Sequence, residues 1–104
     1  MKPVTISPLA QQHLRAISLY ILEDNPPRAL SFVQELRERC SNLSTFPTAG
    51  PVVRRFHDKD VRRIVHRRYN IFYLVGDVIE VIAIVSGTQD LDAILPQDTD
   101  DQQS

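Results

Sequence analysis

The fold is decided by residues 61–85, which read VRRIVHRRYNIFYLVGDVIEVIAIV. Three runs in this stretch are rich in β-branched and aromatic residues, the composition that a pleated surface favours. These runs are Val61–Val65, Tyr69–Val75 and Val78–Val85. Gly76 and Asp77 join the last two runs, and a two-residue connection with glycine first predicts a type II′ hairpin. The stretch therefore predicts three strands in a mostly antiparallel sheet.

The predicted turn also decides which side chains share a face, because successive side chains of a strand point to opposite faces of the sheet. On one face it pairs Val75 with Val78, Tyr73 with Glu80, Ile71 with Ile82 and Tyr69 with Ile84. On the other face it pairs Leu74 with Ile79, Phe72 with Val81 and Asn70 with Ala83. Both faces are largely apolar, so both are expected to need cover from water.

Two helices are predicted ahead of these strands. Ser7-Pro8 is typical of a helix start, and residues 8–23 carry apolar side chains at helical spacing. Asn25-Pro26-Pro27 repeats this start signal, and the short break between the helices predicts a helical hairpin. The apolar positions of the second helix are Ala29, Val33, Leu36, Cys40 and Leu43. Cys40 is expected in the core, and His13, which lies off the apolar side of its helix, is expected in solvent.

A short opening strand at Val4–Ile6 completes the predicted order β-α-α-β-β-β. Such a chain places the helical hairpin on one side of a mostly antiparallel sheet, as a two-layer α+β domain. A two-helix layer covers only one face of the sheet. We therefore expect the second apolar face to be open and to bind a partner.

Length and composition restrict the organisation of the chain and its chemistry. The 104 residues amount to one domain, predicted over residues 1–95, and residues 96–104 are expected to be a disordered acidic tail. No run of about 18 apolar residues is present, so the chain is expected to be cytoplasmic and not bound to a membrane. The single cysteine excludes an internal disulfide. His57, Asp58 and His66 match no recurring metal spacing, so no metal or cofactor is predicted.

The net charge of -1 conceals an uneven distribution of charge along the chain. Residues 54–76 carry seven basic and two acidic side chains, whereas residues 77–104 carry seven acidic side chains and no basic ones. Arg54-Arg55 and Arg67-Arg68 are candidates for contact with phosphates. Aromatic residues near them are few and the acidic segment opposes a polyanion, so direct nucleic-acid binding is not expected.

Several short motifs occur along residues 4–91. They are Ser7-Pro8-Leu9-Ala10, Tyr20-Ile21, Asn25-Pro26 with Ala29, Leu43 with Phe46-Pro47 and Gly50, Arg62-Arg63-Ile64, Tyr69 to Tyr73, and Val81 to Val85. In this order and spacing they resemble the ParE toxins, within the wider RelE/ParE group of small bacterial toxins. The resemblance implies the β-α-α-β-β-β fold, a ParD-like protein antitoxin, DNA gyrase as the target, and a role in plasmid stabilisation. It leaves open a homodimer or a larger toxin–antitoxin assembly.

The antitoxin is expected to bind the open sheet face, apolar edges of the helical hairpin and the basic residues near them. The apolar residues assigned to this interface are Phe72, Leu74, Ile79 and Val81, and the basic ones are Arg62, Arg63, Arg67 and Arg68. These arginines would pair with acidic side chains of the antitoxin and steer the encounter. For Arg62 and Arg63 a second role is open, since a guanidinium near the sheet can bind a carboxylate of this chain and shape the fold.

Two alternatives to a non-enzymatic toxin are a RelE-like ribosome-dependent mRNA endonuclease and an inactive scaffold that only binds a partner. RNA cleavage without a metal needs a base, an acid and cations near the phosphate. The candidates are His66, Arg63 and Arg68, but the chain has no Lys, Arg or His after Arg68 and no Tyr after Tyr73. Asn70 and Gln89 stand where RelE toxins, by this resemblance, carry arginines. The resemblance therefore favours ParE over RelE and predicts no catalytic residues.

Overall fold

The computed structural model describes residues 1–53 and 59–87. Its elements are β1 (Val4–Ile6), α1 (Pro8–Leu22), α2 (Pro26–Asn42), β2 (Val61–His66), β3 (Tyr69–Val75) and β4 (Ile79–Ser86). The predicted order and the two-layer α+β architecture are confirmed. The end of the predicted domain at residue 95 and the tail 96–104 lie outside the described residues, so both stay predictions. Within the described ranges, neither helix is long and apolar enough to cross a membrane.

Both helices begin at the predicted caps. Ser7 Oγ accepts a hydrogen bond from the backbone N–H of Ala10 at 3.1 Å, and Asn25 Oδ1 accepts one from Arg28 at 3.2 Å. Each cap satisfies a backbone donor that the first helical turn leaves unpaired, and each is followed by proline, which has no such donor. The local sequence alone therefore accounts for where the two helices start.

The sheet has the strand order β1-β4-β3-β2. β1 runs parallel to β4, and the other two neighbouring pairs are antiparallel, as the sequence predicts for most of the sheet. Both helices pack on one face and bury the main core. Its members are Ala10, Leu14, Ile17, Phe32, Leu36, Cys40 and Leu43 from the helical half, and Ile64, Ile71, Tyr73, Ile79, Val81 and Ile84 from the strands.

The buried side of α2 is rotated slightly from the predicted one. Phe32, which the apolar stripe left out, is buried, whereas Val33 is only half-buried at the edge of the core. Cys40 is buried as expected. Burial disfavours the thiolate and raises the pKa of the Cys40 thiol to about 11, so this side chain acts as a small apolar residue.

The connection between β3 and β4 is not the predicted type II′ turn. Val75 pairs with Ile79, so three residues separate the strands instead of two. Gly76 does not have the positive φ that a type II′ turn requires at its first central position. The pairing of the two strands is therefore displaced by one residue from the start.

A β-bulge displaces the pairing further. Tyr73 pairs with Val81 but Phe72 pairs with Ala83, which leaves Ile82 as an extra residue in β4. The extra residue shifts the alternation of side chains between the two faces by one position along the rest of β4. Val81 and Ile84 consequently both face the helices, although a regular strand would place them on opposite faces.

Most of the second face of the sheet is covered within the chain, so the expectation of an open apolar face is wrong, although Val65 is 49% exposed and Leu74 half-exposed on it. Phe72 is 7% exposed and lies with buried Ala83 and Val85, and Val53 and Ile82 pack against them. The displaced register is one cause, because it moves part of the apolar set of β4 under the helices. The segment that leads into β2 is the other cause, because it supplies Val53.

This segment is fastened to the outer edge of β2 by backbone hydrogen bonds. The N–H of Val53 donates to the carbonyl of Val61 at 2.8 Å, and the N–H of Arg63 donates to the carbonyl of Pro51 at 3.2 Å. The first half of β2 is thus protected from pairing with another strand.

Gly50 of this segment lies directly against the backbone of β2. A Cβ at this position would lie 2.2 Å from the carbonyl oxygen of Arg63, so only glycine fits. Its backbone is held from both sides, since its N–H donates to the Tyr73 hydroxyl at 3.0 Å and its carbonyl accepts from Arg62 Nη1 at 2.9 Å.

We predict that Gly50→Ala lowers the free energy of unfolding by about 2–3 kcal/mol, because the new methyl group must push the segment off β2. The matched control is Gly76→Ala, where the nearest atom to an added Cβ is the Val78 carbonyl oxygen at 3.6 Å. Urea unfolding followed by circular dichroism measures both changes. Equal stability of the two variants would contradict the close approach at Gly50.

Candidate functional site

A groove with apolar and basic walls runs between α1 and the sheet, where β3 begins and β4 ends. It consists of two adjoining concavities of about 390 Å³ and about 370 Å³ that share Tyr20, Arg68 and Tyr69. We call it the Tyr20 groove. The first concavity is also lined by His13, Ala16, Ile17, Ile84, Val85 and Ser86, and the second by Ile21, Arg28, Phe32 and Arg67.

The groove exists because β1 is short. β1 pairs only with Ile79 to Val81 of β4, so the second half of β4 lies beside α1 instead of beside another strand. Side chains at the start of α1 satisfy backbone groups along this edge. Ser7 Oγ donates to the carbonyl of Ile82 at 3.3 Å, and His13 Nδ1 accepts the N–H of Ile84 at 3.1 Å.

His13 therefore has a structural partner, and the prediction that it lies in solvent is wrong. Its Nδ1 accepts a hydrogen bond, so the ring is neutral with the proton on Nε2. Partial burial against the sheet lowers the pKa of His13, because it disfavours the charged ring. No local sequence pattern indicates this contact, since His13 meets a strand residue 71 positions away.

The other wall of the groove is made by α2 and the hairpin between β2 and β3. Phe32 of α2 packs against His66 and Tyr69, the two residues that face each other across this hairpin, with ring centroids 5.6 Å apart in both cases. The Arg28 guanidinium lies 4.9 Å above the Phe32 ring. Glu35, one helical turn further along α2, accepts hydrogen bonds from Arg28 and His66.

The four predicted arginines have different positions. Arg62 faces the helical side and is largely buried, where Nε donates to Asp60 Oδ1 at 2.8 Å. This contact is the second role that the sequence left open for Arg62, in which the guanidinium binds a carboxylate of this chain. Arg63 is exposed and pairs with Phe72, so it lies on the opposite face of the sheet. Only Arg67 and Arg68, which form the turn of the β2–β3 hairpin, line the Tyr20 groove.

The four predicted apolar interface residues do not share a surface. Ile79 and Val81 are 0% exposed in the core beneath the helices, so no partner reaches them without unfolding the protein. Phe72 is buried on the other face, and only Leu74 is half-exposed there. The assignment of one open face to these residues is wrong because the bulge changes the alternation along β4.

The residues proposed for a nuclease are not brought together either. Arg63 and His66 lie three positions apart on one strand and point to opposite faces. His66 is held against α2 by Glu35 at 3.0 Å. Arg68 alone of the three lines the groove. This arrangement provides no base, acid and cation around one reacting phosphate.

No candidate metal site is found among residues 1–53 and 59–87, where no three His, Cys, Asp or Glu side chains lie close enough to hold an ion. Arg54, Arg55, Phe56, His57 and Asp58 lie outside the described residues, as do Gln89 and the acidic residues that follow it.

Sequence reasoning missed Tyr20 as a site residue, although Tyr20-Ile21 was among the motifs that carried the family resemblance. Its side chain is 67% exposed, an unusual state for an aromatic residue on a helix packed against a core. The neighbouring Leu19 and Leu22 of α1 are also exposed. An apolar surface with Arg68 at its side is suited to a protein segment that carries both apolar and acidic side chains.

Comparison with known proteins bears on the family and the fold of the chain. A sequence model of the family described as ParE toxin of type II toxin-antitoxin system, parDE, matches residues 4–91. A solved structure described as a chromosomal ParDE TA system from P. aeruginosa has a similar fold, with a TM-score of 0.69 and 22% sequence identity. That match covers 83% of this chain and 96% of the other. No curated protein matches the sequence.

We predict that His13 makes the protein less stable as pH falls through the ordinary histidine pKa of 6.5. The unfolded chain takes up a proton there, whereas folded His13 resists protonation. The free energy of unfolding therefore falls as the pH is lowered. Between about pH 7 and about pH 5.5, the free energy of unfolding of His13→Ala should therefore depend less steeply on pH than that of the wild type. Urea titrations across this range measure both slopes, and parallel slopes would contradict the prediction.

Proposed function

The chain belongs to the ParE toxin family of type II toxin–antitoxin systems, and we propose that its ParD-like antitoxin neutralises it by occupying the Tyr20 groove. We further propose that it acts in the cytoplasm on DNA gyrase, by binding and without enzymatic activity. The observation that carries the first proposal is the exposed Tyr20 side chain beside Arg68 in a groove with apolar walls.

The shape of the groove favours an extended or helical segment of the antitoxin over a small ligand. Its two concavities are open and follow α1 from His13 to Tyr20 and then the start of α2. An amphipathic helix or strand that lays its apolar side chains along such a surface is a common mode of peptide recognition.

The positive charge around the groove favours an acidic segment of the antitoxin as its occupant. Arg67 and Arg68 project from the hairpin at the rim, and Arg28 lies on the α2 side. Within the described residues, the Arg68 guanidinium makes no ion pair. Rim charges of this kind mainly raise the association rate and select partners of opposite charge.

Gyrase inhibition is supported by membership of the ParE family. The dispersed positions of Arg63, His66 and Arg68 favour action by binding over cleavage of RNA. The same dispersion weakens the case for the RelE-like alternative without bearing on the inactive scaffold.

The antitoxin proposal predicts that Tyr20→Ser weakens binding of the antitoxin encoded beside the toxin gene by about tenfold or more, because an exposed aromatic anchor is lost. Phe46→Ser is the matched control: Phe46 is 64% exposed, close to the 67% of Tyr20, but it lies beyond the other end of α2. Isothermal titration calorimetry measures both affinities. Unchanged affinity of Tyr20→Ser, or equal loss in the two variants, would reject the groove as the docking site.

The target proposal predicts that the purified toxin inhibits supercoiling by gyrase and that addition of the antitoxin restores it. Primer extension on translated messenger RNA should show no toxin-dependent cuts. Ribosome-dependent cuts without inhibition of gyrase would instead support the RelE-like alternative. Expression without any effect on growth or on either assay would support the inactive scaffold.

A further inference from the structure

We propose that Glu35 is the positioning residue of the Tyr20 groove: it holds the β2–β3 hairpin against α2 and thereby leaves Arg68 as the cation that recognises an acidic antitoxin side chain. This inference rests on the proposed docking of the antitoxin in the groove. It assigns different roles to two adjacent arginines that the sequence treats as equivalent.

Glu35 is the centre of a cluster that joins α2 to the hairpin. Its Oε1 lies 3.0 Å from His66 Nε2 and 3.7 Å from Arg67 Nε. Its Oε2 lies 2.5 Å from Arg28 Nη1, and Arg28 Nη2 donates to Oε1 at 3.3 Å. Three side chains from two elements therefore share one carboxylate.

The cluster keeps this carboxylate charged. The hydrogen bonds from Arg28 and His66 lower the pKa of Glu35 to about 2, so Glu35 is ionised at neutral pH. An ionised carboxylate only accepts hydrogen bonds, so His66 donates its Nε2 proton to it. The orientation of His66, and with it the end of β2, is fixed by this bond.

The hairpin needs such support because its turn is strained. Arg67 has φ of 59°, and it is the one non-glycine residue with positive φ in the described ranges. Residues with a Cβ pay a steric cost in this conformation, which persists only where surrounding contacts impose it. The contacts here are the Glu35 cluster and the packing of Phe32 on His66 and Tyr69.

The cluster also divides the charges at the rim. Arg28 and Arg67 both lie beside Glu35, so much of their charge is balanced within the chain. Arg68 follows Arg67 in the turn, and its guanidinium has no ion pair among the described residues. It reaches both concavities of the groove. A carboxylate of the partner is therefore attracted more strongly to Arg68 than to Arg28 or Arg67.

The test is the affinity of the adjacent-gene antitoxin for Glu35→Gln, measured by calorimetry and stopped-flow. We expect a loss of about tenfold, the size of effect that follows from misplacing a charged contact. The sign is diagnostic, because removal of a negative charge makes the groove more basic and would strengthen binding of an acidic segment if electrostatics alone mattered. Glu38→Gln is the matched control, since Glu38 lies exposed on the same helix.

A second variant separates positioning from direct contact. Glycine adopts positive φ without the steric cost, so Arg67→Gly should hold the turn without the help of Glu35. We expect the double variant Glu35→Gln with Arg67→Gly to regain at least half of the lost affinity in logarithmic terms. Arg68→Gln should reduce the salt dependence of association, whereas Arg67→Gln should leave it nearly unchanged.

The outcomes distinguish this inference from the proposed function. If Tyr20→Ser and Arg68→Gln leave the affinity unchanged, the antitoxin does not use the groove and both ideas fail. If those variants weaken binding but Glu35→Gln does not, or if Arg67→Gly fails to rescue it, the groove stands and the role of Glu35 is overturned.

Discussion

The arrangement of the molecule depends on the junction at Ser7, where β1 becomes α1. The backbone N–H of Ser7 donates to the carbonyl of Val81 at 2.9 Å, and its hydroxyl accepts from Ala10 and donates to Ile82. One residue thus ends the parallel strand, caps the helix and ties both to β4. Because β1 ends here, α1 lies along the remaining edge of β4, and the Tyr20 groove lies between them.

The second wall of the groove depends on a strained turn that side-chain contacts from α2 stabilise. The β2–β3 hairpin turns through Arg67 in a conformation that favours glycine, and α2 holds it through Glu35 and Phe32. A glycine would make the same turn without this support. With arginine at this position, the geometry of the turn is maintained by contacts from α2.

Residues of one chemical type have separate tasks in this chain. Arg62 is partly buried against Asp60 and the Gly50 carbonyl, where it holds the segment after α2 to the sheet. Arg68 is exposed in the groove. Neither composition nor spacing distinguishes them, since both lie in the same basic stretch. What distinguishes them is the face of the sheet, the neighbouring loop and the position within the hairpin.

The sequence by itself determined the secondary structure and the layer architecture. Caps at Ser7 and Asn25 and the β-branched runs act over a few residues, so their effect is readable from a short window. Only the tertiary structure decided which side chains meet. The bulge at Ile82 reverses the alternation along β4, and the length of β1 decides where α1 lies; both arise from packing between distant segments. For that reason the predicted interface included Val81, which is buried, together with surface residues. The contacts of Tyr20, His13 and Glu35 depend on neighbours that are remote in the chain, so the sequence does not indicate them.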